Sequence, residues 1–230
     1  MSAEQEPMNA SEGMRALIDK FKTMPRRTPE EMAAWEWKNS IIPKLRSVGL
    51  PARFHHERTE WKCAPQEKVF RYCERAFTGR GAIVVLCGVR GAGKTEIASQ
   101  LIVRRARAYM EKPEGWPVPY TKLTDLLVMF KPLYADFGSI GTEALTRRRE
   151  QFCGYGLRII DELHDCDEQR LKGRVLTDII DRCYSRLTDT LLISNETEQE
   201  FRATAGDSVV SRISEHGRII ECTWPSFRTK

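Results

Sequence analysis

The sequence lacks the features that mark membrane, secreted and zinc-binding proteins. No apolar run approaches the roughly 20 residues that a membrane-spanning helix needs. The amino end has no apolar stretch of the kind that a secretory signal peptide contains. The seven cysteines form no C-x-x-C pair, so the paired spacing of a typical zinc site is missing. These absences predict a cytoplasmic protein, without a membrane partner, whose thiols stay reduced.

Length and charge set broader limits. A chain of 230 residues suits one domain of good size with a small appendage, and it can bury a sizeable core. With 41% hydrophobic and 30% charged residues, the chain is expected to be ordered. The formal charge of +5 and the pI near 8.8 permit contact with nucleic acid but do not require it.

Three regions of the chain differ in their residue patterns. Residues 1–12 are polar and without periodicity, which predicts a disordered start. Residues 13–64 contain two helical patterns and a linker; in the second pattern Thr28 predicts a helix start and Pro43 a kink or break. The tryptophans of this region suit the docking of a partner, although a helical cap packed on the main domain is the alternative. Residues 65–230 would form the main domain.

The main domain alternates between apolar, β-rich runs and helical stretches. Such alternation indicates a parallel sheet that is buried on both faces, in a three-layer α/β sandwich. Five runs predict the strands, in the order GAIVVLCG, WPVPYT, GLRIID, TLLIS and RIIECT.

A glycine-rich loop, Gly88–Thr95, follows the first predicted strand and precedes a helical stretch. Its sequence GVRGAGKT matches G-x-x-x-x-G-K-T in the strand-loop-helix context of a phosphate-binding loop. Glycines let the backbone N–H groups point at phosphate oxygens, and the helix N-terminus adds positive potential. Lys94 would reach the β- and γ-phosphates of ATP, and Thr95 would offer its hydroxyl to Mg²⁺. The predicted binding residues are Gly88, Val89, Arg90, Gly91, Ala92, Gly93, Lys94, Thr95 and Glu96.

Two acidic residues follow the third predicted strand, in the segment LRIIDELHD. Asp161 suits the Walker-B role of holding the Mg²⁺ shell, and Glu162 would polarise the attacking water as general base. The alternative is an ordinary acidic turn after a buried strand. Because the acidic pair occurs together with the phosphate loop, we favour a role in ATP hydrolysis.

A polar amide ends the fourth predicted strand, in the segment TLLISNETE. At the tip of a strand beside the Walker-B strand, Asn195 can hold the water between Glu162 and the γ-phosphate. In the alternative interpretation, Asn195 caps the helix that follows.

Together these motifs resemble those of AAA+ ATPases, and more narrowly those of the DnaC-type helicase loaders and the related IstB-type transposition ATPases. The resemblance runs from SVGLPARF, Ser47–Phe54, to WPSFR, Trp224–Arg228. Its segments GLPARF, GVRGAGKT, RIIDEL, LLISNET and VVSRISEHGRIIECTWPSFR occur in this order. The SN strand end, the SRI helix and the terminal WPSFR point to this group among the AAA+ proteins.

The resemblance implies a fold and further roles. The sheet would have the order 5-1-4-3-2, which fits the five predicted strands, and the helical lid of most AAA+ proteins would be absent. Asn195 matches the sensor-1 position. Arg212 matches the arginine that this family places at the subunit boundary, where it reaches the ATP of a neighbouring protomer in a homo-oligomer. A guanidinium at that point would stabilise the charge that grows on the phosphoryl oxygens.

One position departs from the family pattern. Members often carry Arg-Tyr in the helix before the sensor strand, whereas this chain has Cys183-Tyr184, with Arg182 one place earlier.

The segment Lys122–Gly156, between the second and third predicted strands, is a long insertion. In related initiators and loaders, helices at this point line a DNA-facing channel, so the resemblance suggests contact with single-stranded DNA. A solvated helix face is the alternative for such basic residues. If they contact DNA, they would act mainly on phosphates. The basic residues are Lys122, Lys131, Arg147, Arg148 and Arg149.

Three functions remain open at this point. In the first, which we favour, the protein is an ATP-driven loader that delivers a replicative hexameric helicase onto single-stranded DNA. In the second, the same ATPase assists a transposase on duplex DNA, and in the third it is a nucleotide-gated binding module with little hydrolysis. The linker GLPARF and the tryptophan-bearing helices before it favour the loader. The segment Leu50–His56, which precedes the core, is our candidate for contact with the adenine ring.

Overall fold

The computed structural model describes residues 14, 28–111, 118–134, 142–154, 156–163 and 169–228. The predicted disordered start and most of the first helical pattern lie outside these residues. The chain forms two compact units, Met1–Ser40 and Ile41–Lys230. Residues 41–64 thus belong to the larger unit, and the docking role of residues 13–64 stays a prediction.

The described part of the smaller unit begins with a capped helix, α1 (Pro29–Glu36). Thr28 Oγ1 accepts a hydrogen bond from Glu31 N at 3.2 Å, and Glu31 Oε2 accepts one from Thr28 N at 2.8 Å. This capping box confirms the helix start that Thr28 predicts. No residue of α1 is buried, and Met32 and Trp35 are exposed apolar side chains on it.

A change of helix type accompanies Pro43. Residues Trp37–Ile41 form a π-helical turn, and α2 (Ile42–Ser47) follows with Pro43 in its first turn. Pro43 has no N–H to donate to an earlier carbonyl, so regular α-helical bonding cannot pass through it. The predicted kink or break is therefore a local change of helix type.

The larger unit is built on a parallel sheet of five strands in the order β2-β3-β4-β1-β5. The strands are β1 (Ile83–Cys87), β2 (Tyr120–Lys122), β3 (Leu157–Asp161), β4 (Asp189–Ile193) and β5 (Gly217–Glu221). Read from the opposite edge, this is the order 5-1-4-3-2 that the resemblance implies, so the predicted P-loop fold is confirmed.

Helices connect the strands and cover both faces of the sheet. After a short 3-10 turn, Ala52–Phe54, the described helices are α3 (Ala64–Ala76), α4 (Lys94–Glu111), α5 (Leu123–Tyr134), α6 (Thr142–Phe152), α7 (Gln169–Ser185), α8 (Glu198–Ala205) and α9 (Asp207–His216). On one face, Ile83 and Val85 of β1 join a buried cluster with side chains of α5, α7 and α9. Val84 and Leu86 alternate to the opposite face and are equally buried. Burial on both faces explains the near-continuous apolar runs in the sequence.

The linker that precedes the main domain covers the edge strand β2. Tyr120 N donates a hydrogen bond to Val48 O at 2.8 Å. Gly49 has φ +83°, and a Cβ at this position would lie 2.7 Å from Tyr120 O. Only glycine permits this backbone approach. The short edge strand is thereby protected from pairing with another chain.

All five strands end on the same side of the sheet, and Cys87, Lys122, Asp161 and Ile193 are the last residues of β1 to β4. Because the strands are parallel, the segments that follow them converge on this side, where open α/β sheets bind their ligands. In the strand register Lys122 lies opposite Asp161. Lys94, Asp161, Glu162 and Asn195 therefore meet here, whereas Arg212 does not.

None of the helices that the structure describes is both long and apolar enough to cross a membrane. The six cysteines among the described residues are free thiols, and all except Cys63 are buried.

Candidate nucleotide site

The phosphate loop connects β1 to α4, as the sequence predicts. Gly91 has φ +86°, and a Cβ at this position would collide with the side chain of Ser226. Glycine is therefore required at Gly91 both by the backbone conformation and by the close approach of a distant segment. Gly88 and Gly93 also have positive φ values, so the glycines of the motif provide the curled backbone of a phosphate cradle.

Lys94 is the first residue of α4, and its side chain returns to the loop. Its side chain is buried, and Nζ donates hydrogen bonds to Gly88 O at 2.6 Å and Val89 O at 2.9 Å. Burial lowers the pKa of Lys94 from its usual range. A poorly solvated cation attracts a negatively charged phosphate strongly, because little water screens the two charges.

Thr95 and Asp161 place a hydroxyl beside a carboxylate. Thr95 Oγ1 donates a hydrogen bond to Asp161 Oδ2 at 2.8 Å, although 66 residues separate the two in the chain. Asp161 is 3% exposed. Mg²⁺ binds oxygen ligands, and in phosphate-loop sites these include a threonine hydroxyl and an aspartate carboxylate. The two residues therefore fit the predicted Mg²⁺ site.

Tyr120 is a neighbour of Asp161 that the sequence analysis missed. Its hydroxyl donates a hydrogen bond to Asp161 Oδ2 at 2.8 Å. Burial, together with the charge of Asp161, raises the pKa of Tyr120, so the phenol stays protonated and remains a donor. The sequence contains no motif for this contact; only the adjacency of β2 and β3 in the sheet could have indicated it.

Glu162 begins the turn after β3. Its φ of 59° lies in the left-handed region, which is uncommon for a non-glycine residue. Its N–H donates to Asp161 Oδ1 at 2.7 Å, and its side chain forms an ion pair, Lys122 Nζ to Glu162 Oε2, at 2.8 Å. The hydrogen bond to Glu162 raises the pKa of Lys122. Lys122, one of the basic residues that the sequence analysis considered for DNA contact, thus lines the candidate nucleotide site.

Asn195 follows β4 and lines the same cavity as Lys94, Asp161 and Glu162. The alternative interpretation, that Asn195 caps the next helix, is wrong because Thr197 is the N-cap of α8. The structure therefore places Asn195 in the same cavity as Asp161 and Glu162, and its sensor-1 role stays a prediction.

Glu96, the last residue of the predicted binding set, lines the cavity and contacts the linker. Its Oε1 lies 3.0 Å from His56 Nε2 and accepts hydrogen bonds from Arg58 Nε and Gln100 Nε2, each at 3.2 Å. These contacts tie the linker to α4 at the rim of the cavity.

The cavity has a volume of about 540 Å³, which lies in the range of typical small-molecule sites. From the candidate adenine segment, Arg53 and Phe54 line it. The lining residues that the sequence analysis did not assign to the nucleotide are Arg58, Lys62, Gln66, Lys122, Phe227 and Arg228. The cations among them suit a polyanionic ligand.

The segment after β5 packs on the phosphate loop. Trp224 Nε1 donates a hydrogen bond to Ala92 O at 2.8 Å, and Phe227 N donates to Gly91 O at 2.9 Å. The motif WPSFR, which carries part of the resemblance, thus supports the loop, with Phe227 and Arg228 beside the cavity.

Arg212 lies on α9 and is not among the residues that line the cavity. Its Nε is 2.9 Å from Asp181 Oδ1, its Nη1 donates to Ser208 O at 2.9 Å, and its guanidinium lies 5.7 Å from the ring centre of Tyr184. The predicted subunit-boundary arginine therefore does not line the nucleotide site of its own protomer. Its role at a neighbour's site stays a prediction.

Arg182, the residue displaced by one place from the family pattern, has partners within its own protomer. It forms ion pairs with Glu150 and, at 3.0 Å, with Asp178. The ion pair with Glu150 joins α6 to α7, whereas the one with Asp178 lies within α7.

Comparisons with known proteins agree with this fold. Three solved structures share the fold: the DnaC helicase loader, DnaI, and DnaA from Aquifex aeolicus bound to AMPPCP. DnaC is 17% identical with a TM-score of 0.56, covering 74% of this chain and 99% of that one. DnaI is 16% identical with a TM-score of 0.53, covering 80% of this chain and 100% of that one. DnaA is 17% identical with a TM-score of 0.53, covering 70% of this chain and 48% of that one. The chain thus spans about half of DnaA.

No curated protein matches the chain. The family described as IstB-like ATP binding protein, however, matches residues 29–230, which include every predicted site residue. A match over this length shows membership, and the phosphate loop, Walker-B pair and sheet order are consistent with it. The chain therefore belongs to the IstB-like ATP-binding protein family.

Proposed function

We propose that the protein is an ATP hydrolase that, assembled as a homo-oligomer, loads a replicative hexameric helicase onto single-stranded DNA. The observation that carries the proposal is the meeting of Glu162 and Asn195 with Lys94 in one cavity. A site that only bound nucleotide would need the phosphate loop, but not a carboxylate and an amide beside it. The loading role is supported by the fold shared with the DnaC helicase loader.

The groups of the chain divide the reaction between them. Glu162 accepts a proton from water as the water oxygen bonds to the γ-phosphorus, and the bond from that phosphorus to the bridging oxygen of ADP breaks. Asn195 holds the water through its amide, and Lys94 stabilises charge on the phosphoryl oxygens. Mg²⁺, which Thr95 and Asp161 would hold, neutralises phosphate charge when it is bound.

Steady-state ATP turnover, with and without single-stranded DNA, tests the hydrolysis. We expect Glu162→Gln to lower turnover by about 10²–10⁴-fold while ATP binding persists, because an amide cannot accept the proton. Lys94→Ala should lose ATP binding as well. If Glu162→Gln turned over ATP at the original rate, the enzyme proposal would fail and a nucleotide-gated binding module would take its place.

The homo-oligomer is proposed from the position of Arg212, outside the cavity of its own protomer. We expect Arg212→Ala and Lys94→Ala each to be inactive alone. An equimolar mixture should regain turnover, because Arg212 of the Lys94→Ala protomer can serve the ATP of the other. The control mixes Arg212→Ala with the double variant Lys94→Ala, Arg212→Ala, which supplies no arginine. Equal turnover in both mixtures would contradict catalysis across a subunit boundary.

Contact with single-stranded DNA is proposed for α6. Arg147 and Arg148 are exposed on this helix, although Arg147 also forms an ion pair with Glu143 at 3.5 Å. Arg149 is less exposed and is paired with Asp178 at 3.0 Å. Replication initiator DnaA bound to AMPPCP and single-stranded DNA shares the fold, with 16% identity and a TM-score of 0.54. Exposed guanidinium groups would bind phosphates without sequence preference.

The partner is tested with the full chain. Met32 and Trp35 are exposed on α1 and offer apolar surface to a partner. We expect immobilised protein to capture a purified replicative helicase, and Trp35→Ala to weaken the capture without changing ATP turnover. The family match also favours the second candidate, an ATPase that assists a transposase. If the protein captured a purified transposase instead, and duplex DNA stimulated its ATP turnover, this second candidate would be favoured.

A further inference from the structure

Three hydrogen bonds hold the carboxylate of Asp161. Oδ2 accepts from two hydroxyl groups, those of Thr95 and Tyr120, each at 2.8 Å. Oδ1 accepts from the N–H of Glu162 at 2.7 Å. Two of these donors belong to the predicted motifs, but Tyr120 does not.

We propose that Tyr120 is a positioning residue for the metal–nucleotide site, which orients the Asp161 carboxylate through its hydroxyl. The inference rests on the proposed function, in which Asp161 holds Mg²⁺. Tyr120 itself would touch neither the nucleotide nor the metal, since it is not among the residues that line the cavity.

The backbone of Tyr120 is held from both sides. On the inner side, Tyr120 pairs with Ile159 of β3. On the outer side, its N–H donates to Val48 O at 2.8 Å, and Gly49 lets the linker approach Tyr120 O. The residue is only 7% exposed. A side chain anchored in this way can present its hydroxyl at one fixed point.

The hydrogen bond from the Tyr120 hydroxyl is strong because the Asp161 carboxylate is buried. Hydrogen bonds to an ionised group are stronger than neutral ones, and poor solvation strengthens them further. Without the phenol, Asp161 Oδ2 would keep Thr95 as its donor, and the carboxylate could rotate about its side-chain bonds. Rotation would also release the N–H of Glu162, whose left-handed backbone conformation depends on local support. One hydroxyl on an edge strand thus steadies both acidic residues.

The test is the variant Tyr120→Phe, which removes the oxygen and keeps the ring. Equilibrium binding of a fluorescent ATP analogue is measured during a Mg²⁺ titration and again in excess EDTA. We expect the Mg²⁺ concentration at half-saturation to rise about tenfold, the loss typical of removing a group that orients a metal ligand. Binding in EDTA should stay within about twofold of the original protein, since Tyr120 does not line the cavity.

The matched control is Tyr184→Phe. This change also removes a phenol that is hydrogen-bonded to a carboxylate, that of Glu215, but outside the cavity. We expect Tyr184→Phe to leave both the Mg²⁺ titration and the binding in EDTA unchanged. An unchanged Mg²⁺ titration in Tyr120→Phe would overturn the proposal, as would an equal loss of binding with and without Mg²⁺.

A double variant separates positioning from general damage. If Tyr120 acts through Asp161, then Tyr120→Phe should cause no further shift in an Asp161→Asn background. Additive shifts would overturn the proposal. These measurements report binding and test only the role of Tyr120. The proposed hydrolysis is tested separately, by the ATP turnover of Glu162→Gln, so a negative result for one proposal can be told from a negative result for the other.

Discussion

At the scale of single residues, the ion pair between Lys122 and Glu162 restrains the proposed general base. Lys122 Nζ lies 2.8 Å from Glu162 Oε2, and both side chains are partly exposed. A carboxylate oxygen that already accepts a hydrogen bond from an ammonium group is less available to accept a proton from water. Turnover would then require the pair to open.

We therefore predict that Lys122→Met raises basal ATP turnover, measured without DNA at saturating ATP and Mg²⁺. The expected gain is about fivefold, which corresponds to one hydrogen bond of about 1 kcal/mol. The control Lys131→Met removes an equal charge from α5, outside the residues that line the cavity. A fall in turnover for Lys122→Met would show that Lys122 supports Glu162 instead of restraining it.

At the scale of elements, Asp189 connects the beginning of β4 to the segment that enters β1. Its carboxylate accepts hydrogen bonds from the N–H groups of Gly79, Gly81 and Ala82, at 2.6, 3.1 and 3.0 Å. Asp189 is fully buried, and Arg105 Nη2 lies 3.6 Å from it. These contacts fix β1 at the end opposite to the phosphate loop.

We predict that Asp189→Asn lowers the free energy of unfolding by about 2–3 kcal/mol, measured by urea denaturation. The amide carries no charge, and its NH₂ group would face backbone donors that then lack an acceptor. The control Asp207→Asn changes an exposed acid at the start of α9 and should cost less than about 1 kcal/mol. Equal losses in the two variants would contradict the anchoring role of Asp189.

At the scale of the whole molecule, the nucleotide cavity and Arg212 are separate features of the chain. Arg212 is engaged by Asp181, Ser208 and Tyr184 and does not line the cavity. Complete catalysis, as proposed, needs the arginine of one protomer at the ATP of another.

We predict that turnover per protomer rises with protein concentration and then levels off, since assembly obeys mass action. Steady-state assays over a hundredfold range of protein concentration, at fixed salt, measure this dependence. Arg212→Ala should stay near its low rate over the whole range. Turnover per protomer that is constant for the original protein over this range would contradict the proposed assembly.

The predictions from sequence were most successful where the evidence was local. The phosphate loop, Asp161 and Glu162 occur within short, continuous segments, and each segment stands directly after an apolar strand. Parallel strands bring such segments together whatever their distance in the chain. Asn195 was placed in the cavity for the same reason.

The missed residues depend on contacts between distant segments. Tyr120 reaches Asp161 across 41 residues, and Trp224 reaches Ala92 across 132. Neither contact follows from a motif, because the first depends on which strand occupies the edge and the second on the path of the chain after β5. Lys122 was grouped with the candidate DNA-contact residues for the same reason: its charge is visible in the sequence, but its partner Glu162 lies in the turn after β3.

The sequence by itself determined the fold class, the phosphate loop and the acidic pair, because apolar periodicity and glycine spacing act within a few residues of the chain. Only the tertiary structure decided which side chains surround those motifs. It placed Tyr120 and Lys122 beside the acidic pair and Trp224 against the phosphate loop, and it kept Arg212 outside the cavity. The physical reason is that hydrogen bonds and ion pairs act over a few ångströms in space, which separation along the chain does not reveal.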